Sequence, residues 1–327
     1  MFQIKNNIKH LKRKRYLKRY LFLMSNTFYT QNFTNSLKCG RIDCISGGEF
    51  MEKNNKPKNV AVIFAGGTGQ RMGCQDIPKQ FLEVEGKPII VYTIEYFEHH
   101  PEIDDIFLVC IEPWIDYCKY QLEKFGIKKV RSIVPGGKTG QDSIYIGLKE
   151  AEKMCGPEDI VLIHDGVRPF ITQDLITRNI EDTKKHGNSI TCTGCNETFL
   201  TSKDACEVTG VPIRKESFNG QAPQAFRLGD IISAHDEMRA KNPDYTDVVD
   251  SATLFHLLGK PVYLTEGVRG NTKITNPVDI YIFQAWLDYK KNNGEVRGIP
   301  NLDEYYSQRG IEETQDSDSS LTLKYKG

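Results

Sequence analysis

What the sequence lacks narrows its function first. No apolar run approaches the roughly 20 residues that a membrane-crossing helix requires, so no span is expected in the 327-residue chain. There is no excess charge of either sign, with Lys plus Arg at 43 and Asp plus Glu at 43. That balance argues against a nucleic-acid binder and leaves room for a local basic pocket. The GxxxxGK[ST] spacing of a P-loop is missing, and no internal repeat is visible. The nine cysteines are odd in number and several sit in strand-like apolar runs. They are expected to be reduced, buried thiols of a cytoplasmic protein. Cys192 and Cys195 form one CxxC with no second pair or histidine cluster, short of the ligand set that zinc needs.

What is present has a clear rhythm between residues 59 and 290. Continuous apolar runs such as "NVAVIFA", "DDIFLVC", "VRSIVP" and "EDIVLIHD" alternate with stretches of helical periodicity such as "PIIVYTIEYFEHH" and "SIYIGLKEAEKM". This alternation predicts an α/β fold with a mostly parallel sheet covered by helices on both faces. Residues 196–224 break the rhythm and are read as a protruding β-arm. Residues 1–58 are expected to be a disordered basic extension. Within it "KHLKRKRYLKRYLFLM" is read as a solvated tail, or as translated sequence upstream of Met51, in preference to a membrane-surface segment. Residues 291–327 form a polar, acidic tail that is also expected to be disordered.

In such sheets ligands bind where the strands end. The strand ends here are Ala65-Gly66-Gly67, Gly136-Gly137 and His164 to Arg168. The first loop, "AVIFAGGTGQRMG", only approximates GxGxxG, because Met72 occupies the third glycine position. A dinucleotide fold also expects an acid at a second strand end about 20 residues on, and Glu83 and Glu85 lie too early for it. The loop instead carries Arg71 and Lys79. Glycines let backbone amides approach oxyanions, and cations offset charge that builds at an attacked phosphorus. Both could be plain surface charges; Lys79 following Pro78, in a loop, favours function. His164 should face away from its neighbour Asp165 by strand alternation, and is read as structural.

The motifs, taken in order, resemble one family. "AGGTGQRMG…PKQF", "GGKTGQDSI" (Gly136–Ile144), "HDGVRPF" (His164–Phe170), "GQAPQAF" (Gly220–Phe226) and "NTKITNP" (Asn271–Pro277) are similar to the motifs of cytidylyltransferases acting on 2-C-methyl-D-erythritol 4-phosphate or ribitol 5-phosphate. The resemblance covers about residues 59–288 and implies a Rossmann-like nucleotidyltransferase sheet. It implies an enzyme that joins CTP to an alcohol phosphate and releases pyrophosphate, with Mg2+ as cofactor and a homodimer formed through the arm. Carried over by position, Ala65, Gly66 and Gly67 would hold cytosine and phosphates. Arg71, Lys79 and Lys273 would be catalytic cations. Gly136, Gly137 and Ser143 would shape the base and ribose pocket, Asp165 would hold the metal, and Arg168 would sit beside it.

Departures from the pattern bear on the substrate. "TGCNETF" lacks the arginine that the erythritol-phosphate enzymes carry there, and Gly270 stands where they place an acid. Gly140 stands where both groups usually place arginine. The run "VPIRKESFNGQAPQAF" resembles the arm of the ribitol-phosphate group, which makes Arg214 the expected grip on the alcohol phosphate. Ribitol 5-phosphate is therefore the expected acceptor, erythritol phosphate is the alternative, and a nucleotide-binding protein without turnover is a third reading. Deleting residues 1–50 is expected to leave turnover intact; a folded but inactive product in a pyrophosphate-release assay would give the extension a function.

Overall fold

The computed structural model describes residues 56–67, 77–245 and 247–292, together with the backbone of Ile311–Gln315 and Leu321–Tyr325. In chain order the elements are β1 (Asn59–Ala65), the hairpin β2 (Glu83–Val84) and β3 (Lys87–Pro88), α1 (Ile89–Glu98), β4 (Asp105–Cys110), α2 (Ile115–Lys124), β5 (Val130–Pro135), α3 (Gly140–Glu152) and β6 (Ile160–Asp165). There follow α4 (Gln173–His186), β7 (Asn188–Gly194), β8 (Phe218–Arg227), α5 (Leu228–Lys241), α6 (Ser251–Leu257), β9 (Leu264–Glu266) and α7 (Pro277–Lys291). Two further strands, β10 (Ile311–Gln315) and β11 (Leu321–Tyr325), pair antiparallel.

The main sheet has 7 strands in the order β5-β4-β1-β6-β8-β7-β9. Strand β1 pairs in parallel with β4 and β6, and β4 with β5. Strand β8 runs antiparallel to both β6 and β7, while β9 is parallel to β7. The carboxyl ends of β1, β4, β5, β6, β7 and β9 therefore share one rim with the start of β8. Strands β1, β4 and β6 are buried nearly throughout, which explains their continuous apolar runs.

Alternation along β1 feeds two cores. Ala61, Ile63 and Ala65 pack with Ile90, Ile94 and Phe97 of α1 and Leu175, Ile176 and Ile180 of α4. Val60 and Val62 pack on the other face with Ile144 and Leu148 of α3 and Ile231 and Met238 of α5. A smaller cluster of Val84, Ile89, Phe170, Ile274 and Phe283 seats α7 beside the rim. Helices thus cover both faces, as the alternation predicts.

Several sequence expectations need correction. The segment read as an arm to residue 224 enters the main sheet earlier: β8 begins at Phe218, and its second half pairs with β6 through Ile163↔Gln224 and Leu162↔Ala225. What protrudes is the stretch before it, tied by the single antiparallel bridge Thr201↔Gly210 among the described residues. Within the polar tail read as disordered, Ile311–Gln315 and Leu321–Tyr325 pair as strands, and its other residues from 293 on lie outside the described residues. Cys206 is exposed, unlike the buried Cys110, Cys118, Cys192 and Cys195. Apart from Lys56, Pro57 and Lys58, the basic extension lies outside the described residues.

One contact fixes how α3 lies on the sheet. A Cβ at Gly147 would come within 2.5 Å of Val62 Cγ1 and 2.8 Å of Val109 Cγ2. Both neighbours are β-branched and stiff at χ1, so neither can swing aside. Gly147→Ala is expected to cost about 1–3 kcal/mol through overpacking. Thermal denaturation should show the loss; an unchanged melting temperature would mean that α3 can slide.

Candidate active site

The site is built where the strands run out. Strand β6 ends in His164 and Asp165, and alternation sends their side chains apart. His164 is fully buried, packs 5.2 Å from the Phe97 ring and donates from Nε2 to the Arg168 carbonyl at 3.0 Å. Burial pushes its pKa down to about 4, against the Arg168 carbonyl bond. It is a neutral structural residue at pH 7, as read from alternation.

Asp165 faces the rim and receives two cations. Lys273 Nζ lies 2.5 Å from its Oδ1 and Arg168 Nε lies 3.2 Å from its Oδ2. Burial alone would raise this carboxyl; Lys273 and Arg168 outweigh it and hold the pKa below the usual carboxylate range. Arg168 is fixed further by donating from Nη1 to the Asn271 carbonyl at 2.7 Å. Asn271 is itself buried and donates from Nδ2 to the Ala222 carbonyl at 2.8 Å. The loop 271–274 is thereby bound to β6 on one side and to β8 on the other.

The same loop reaches the first motif. Lys79, 8% exposed, donates from Nζ to the Ile274 carbonyl at 2.9 Å. Its neighbour Gln80 donates from Nε2 to the Ala65 carbonyl at 2.6 Å and the Gly67 carbonyl at 3.2 Å. Next to these, Ser143 Oγ accepts from Gly137 N at 3.1 Å and donates to the Thr139 carbonyl at 3.0 Å. A Cβ at Gly66 or Gly136 would come within 3.0 or 3.1 Å of that hydroxyl, so the two glycine loops meet across Ser143.

Ala65, Gly66, Gly67, Lys79, Gly136, Gly137, Ser143, Asp165, Arg168 and Lys273 therefore lie along one rim. Arg71 lies outside the described residues. Arg214 stands apart, on the exposed arm, donating from Nη2 to Thr198 Oγ1 at 2.9 Å. A cleft of about 480 Å³ runs from Arg168 and Lys273 past Thr193 and Gln221 to Arg269. A second, of about 620 Å³, adjoins it through Arg269 and contains Arg214 and Lys215. Among the described residues no group of three His, Cys, Asp or Glu side chains is placed to hold a metal.

The sequence reading gave Gln80, Asn271 and Arg269 no role, although the first two stand inside quoted motifs. Gln80 and Asn271 act through backbone carbonyls and Arg269 lines both clefts, roles that residue chemistry alone does not announce. The glycine at position 270 acquires a reason: its φ is +87°, a left-handed backbone that an aspartate adopts only under strain.

Comparisons with known proteins agree with this arrangement. Residues 59–289 match the family model described as "IspD: 2-C-methyl-D-erythritol 4-phosphate cytidylyltransferase". The chain is 47% identical over 234 residues to a ribitol-5-phosphate cytidylyltransferase of Vibrio parahaemolyticus, covering 72% of this chain and 98% of the relative. It is 39% identical over 231 residues to a 2-C-methyl-D-erythritol 4-phosphate cytidylyltransferase of Clostridium botulinum, covering 71% and 98%. The crystal structure of 4-diphosphocytidyl-2C-methyl-D-erythritol synthase from Anaerococcus prevotii superposes with a TM-score of 0.61 at 31% identity, covering 71% of this chain and 96% of that one. Rim geometry, ordered motifs and relatives lead to one conclusion: this chain is an enzyme of the IspD family of cytidylyltransferases.

Proposed function

We propose that the enzyme transfers the cytidylyl group of CTP to D-ribitol 5-phosphate, giving CDP-ribitol and pyrophosphate. The observation that carries this reading is the contact of Lys273 and Arg168 with Asp165 beside buried Lys79, at the rim where the glycine loops meet. The choice of acceptor is supported by 43–47% identity to ribitol-5-phosphate enzymes against 38–39% to the erythritol-phosphate ones. Arg214 and its cleft supply a grip for the acceptor.

The acceptor phosphate is already ionised at neutral pH. One of its oxygens attacks the α-phosphorus of CTP; the new P–O bond forms as the bond to the β-phosphate oxygen breaks, and pyrophosphate leaves. No general base is needed, and neutral His164 supplies none. The obstacle is repulsion between two anions, and the chain meets it with Lys79, Lys273, Arg168 and, in this reading, Arg71. The loops ending in Gly67 and Gly137 receive the nucleotide. Asp165, a rim carboxylate kept ionised by Lys273 and Arg168, would hold Mg2+, a hard cation that takes one or two carboxylates and completes its shell with substrate phosphates and water. When bound, Mg2+ would polarise phosphoryl oxygens as a Lewis acid.

The arm supports two further parts of the reading. Leu200, Val211 and Ile213 are each about 60% exposed, an apolar surface that a second copy of this chain would cover in a homodimer. Among the described residues no helix is long and apolar enough to cross a membrane. With free thiols and phosphorylated substrates, we place the enzyme in the cytoplasm.

Two measurements test this reading. Pyrophosphate release from CTP should be faster with ribitol 5-phosphate than with 2-C-methyl-D-erythritol 4-phosphate, and Arg214→Ala should raise the ribitol 5-phosphate KM about tenfold. The reverse preference would assign the erythritol reaction, and CTP binding without release on either acceptor would make the chain a binding protein. The second measurement concerns charge. Asp165 is held below its unfolded value, so its ion pairs stabilise the metal-free protein above about pH 3.9 and are lost as pH falls through the lower folded value. Removing Lys273 leaves burial less opposed. Lys273→Met should therefore move the acid-unfolding midpoint to higher pH by circular dichroism; an unmoved midpoint would show that Lys273 does not set the Asp165 charge.

A further inference from the structure

Loop 136–140 carries glycine at positions 136, 137 and 140, yet it must present Gly137 and Ser143 in fixed places. Something outside it has to supply the rigidity that its own residues lack. Thr139 caps α3 in a capping box with Asp142: Asp142 N donates to Thr139 Oγ1 at 3.0 Å, and Asp142 Oδ2 accepts from Thr139 N at 3.2 Å. The other carboxylate oxygen, Oδ1, accepts from Arg239 Nη2 at 2.6 Å.

Arg239 belongs to α5, one helix behind the loop. Its guanidinium lies 4.3 Å from the Tyr145 ring centroid and 5.0 Å from that of Tyr245. Its Nε donates to the Tyr245 hydroxyl at 2.8 Å, and that hydroxyl lies 2.7 Å from His235 Nδ1. Tyr245 is 5% exposed and has a φ of +51°, a strained conformation for a tyrosine that its ring and hydroxyl contacts help hold. A lone surface ion pair contributes little because both side chains lose freedom to form it. Here the guanidinium is already immobilised between two rings and a hydroxyl, so its orientation is set before Asp142 is engaged. A parallel tie, Tyr145 Oη to Asp236 Oδ1 at 2.6 Å, joins the same two helices.

We infer that Arg239 is a positioning residue for nucleotide binding: through Asp142 and Thr139 it holds Ser143 and Gly137 where CTP meets them. The inference rests on the reading that the loop 136–143 receives the nucleotide. It assigns to α5, which lines neither cleft, control over CTP affinity and leaves the phosphoryl-transfer cations to the opposite side of the rim. It also accounts for an active loop with Gly140 where an arginine is usual, since the brace comes from behind.

The test uses the full chain with CTP, Mg2+ and ribitol 5-phosphate. Arg239→Met should raise the calorimetric Kd and the KM for CTP about tenfold, with kcat and the ribitol 5-phosphate KM little changed. Arg239→Lys, which keeps the charge and loses the fork and flat face, should stay weakened; it serves as the folded variant if the methionine form does not fold. In a cycle with Asp142→Ala, the double variant should bind CTP no worse than the weaker single. Additive losses, or a lowered melting temperature with unchanged CTP affinity, would overturn the inference. Ser143→Ala separates the two readings. If it weakens CTP binding and Arg239→Met does not, the brace alone is wrong; if neither does, the nucleotide assignment of the loop falls with it.

Discussion

The site depends on one buried carboxylate holding two cations. Asp165 accepts Lys273 on one oxygen and Arg168 on the other, and Arg168 carries the tie onward to the Asn271 carbonyl. Remove the acid and two positive groups face each other in a site where burial weakens the screening of their repulsion. Keep it, and strand β6, the loop 271–274 and the middle of β8 at Ala222 are joined. The reaction's need for concentrated positive charge and the fold's need to neutralise that charge are met by the same side chain.

Around that point the sheet does the positioning. Parallel pairing brings the ends of β1, β5 and β6 to one rim, and the antiparallel β8 returns Gln221 and Ala222 to the same place. The two glycine loops touch across Ser143, so the first and second motifs act as one surface. The side proposed for the acceptor is different in kind. Arg214 sits on an exposed arm with a hydroxyl as its partner, in a cleft that adjoins the catalytic one through Arg269.

The sequence made the fold legible because β1, β4 and β6 are buried on both faces and therefore read as unbroken apolar runs. It made Asp165 and Lys79 stand out because charge at a strand end or after a proline is conspicuous, whereas Lys273 came only from the family motif around it. The limit of the arm was not legible. Phe218 to Gln224 contains Asn219, Gly220 and Pro223, residues that argue against a strand, yet tertiary pairing with β6 and β7 overrides that preference. The pairing of Ile311–Gln315 with Leu321–Tyr325 was hidden for a related reason, since the acidic and hydroxyl residues of that tail read as disorder. Gln80, Asn271 and Arg239 were hidden because each acts on backbone or on another side chain, a role fixed by distance in space.

The bond between Lys79 Nζ and the Ile274 carbonyl joins residues 195 positions apart. Closing so long a loop carries an entropy cost that its contacts repay only once both ends are in place. During synthesis the sheet can begin to collect as soon as β1, β4 and β6 have emerged, but a nascent chain without Lys273 and Ile274 has neither the partner of Asp165 nor that of Lys79. On the proposed roles of Lys79, Asp165 and Lys273, a ribosome-bound fragment folded over most of its length would still be chemically inert, and the enzyme would become competent only when the short stretch just ahead of α7 reaches the rim.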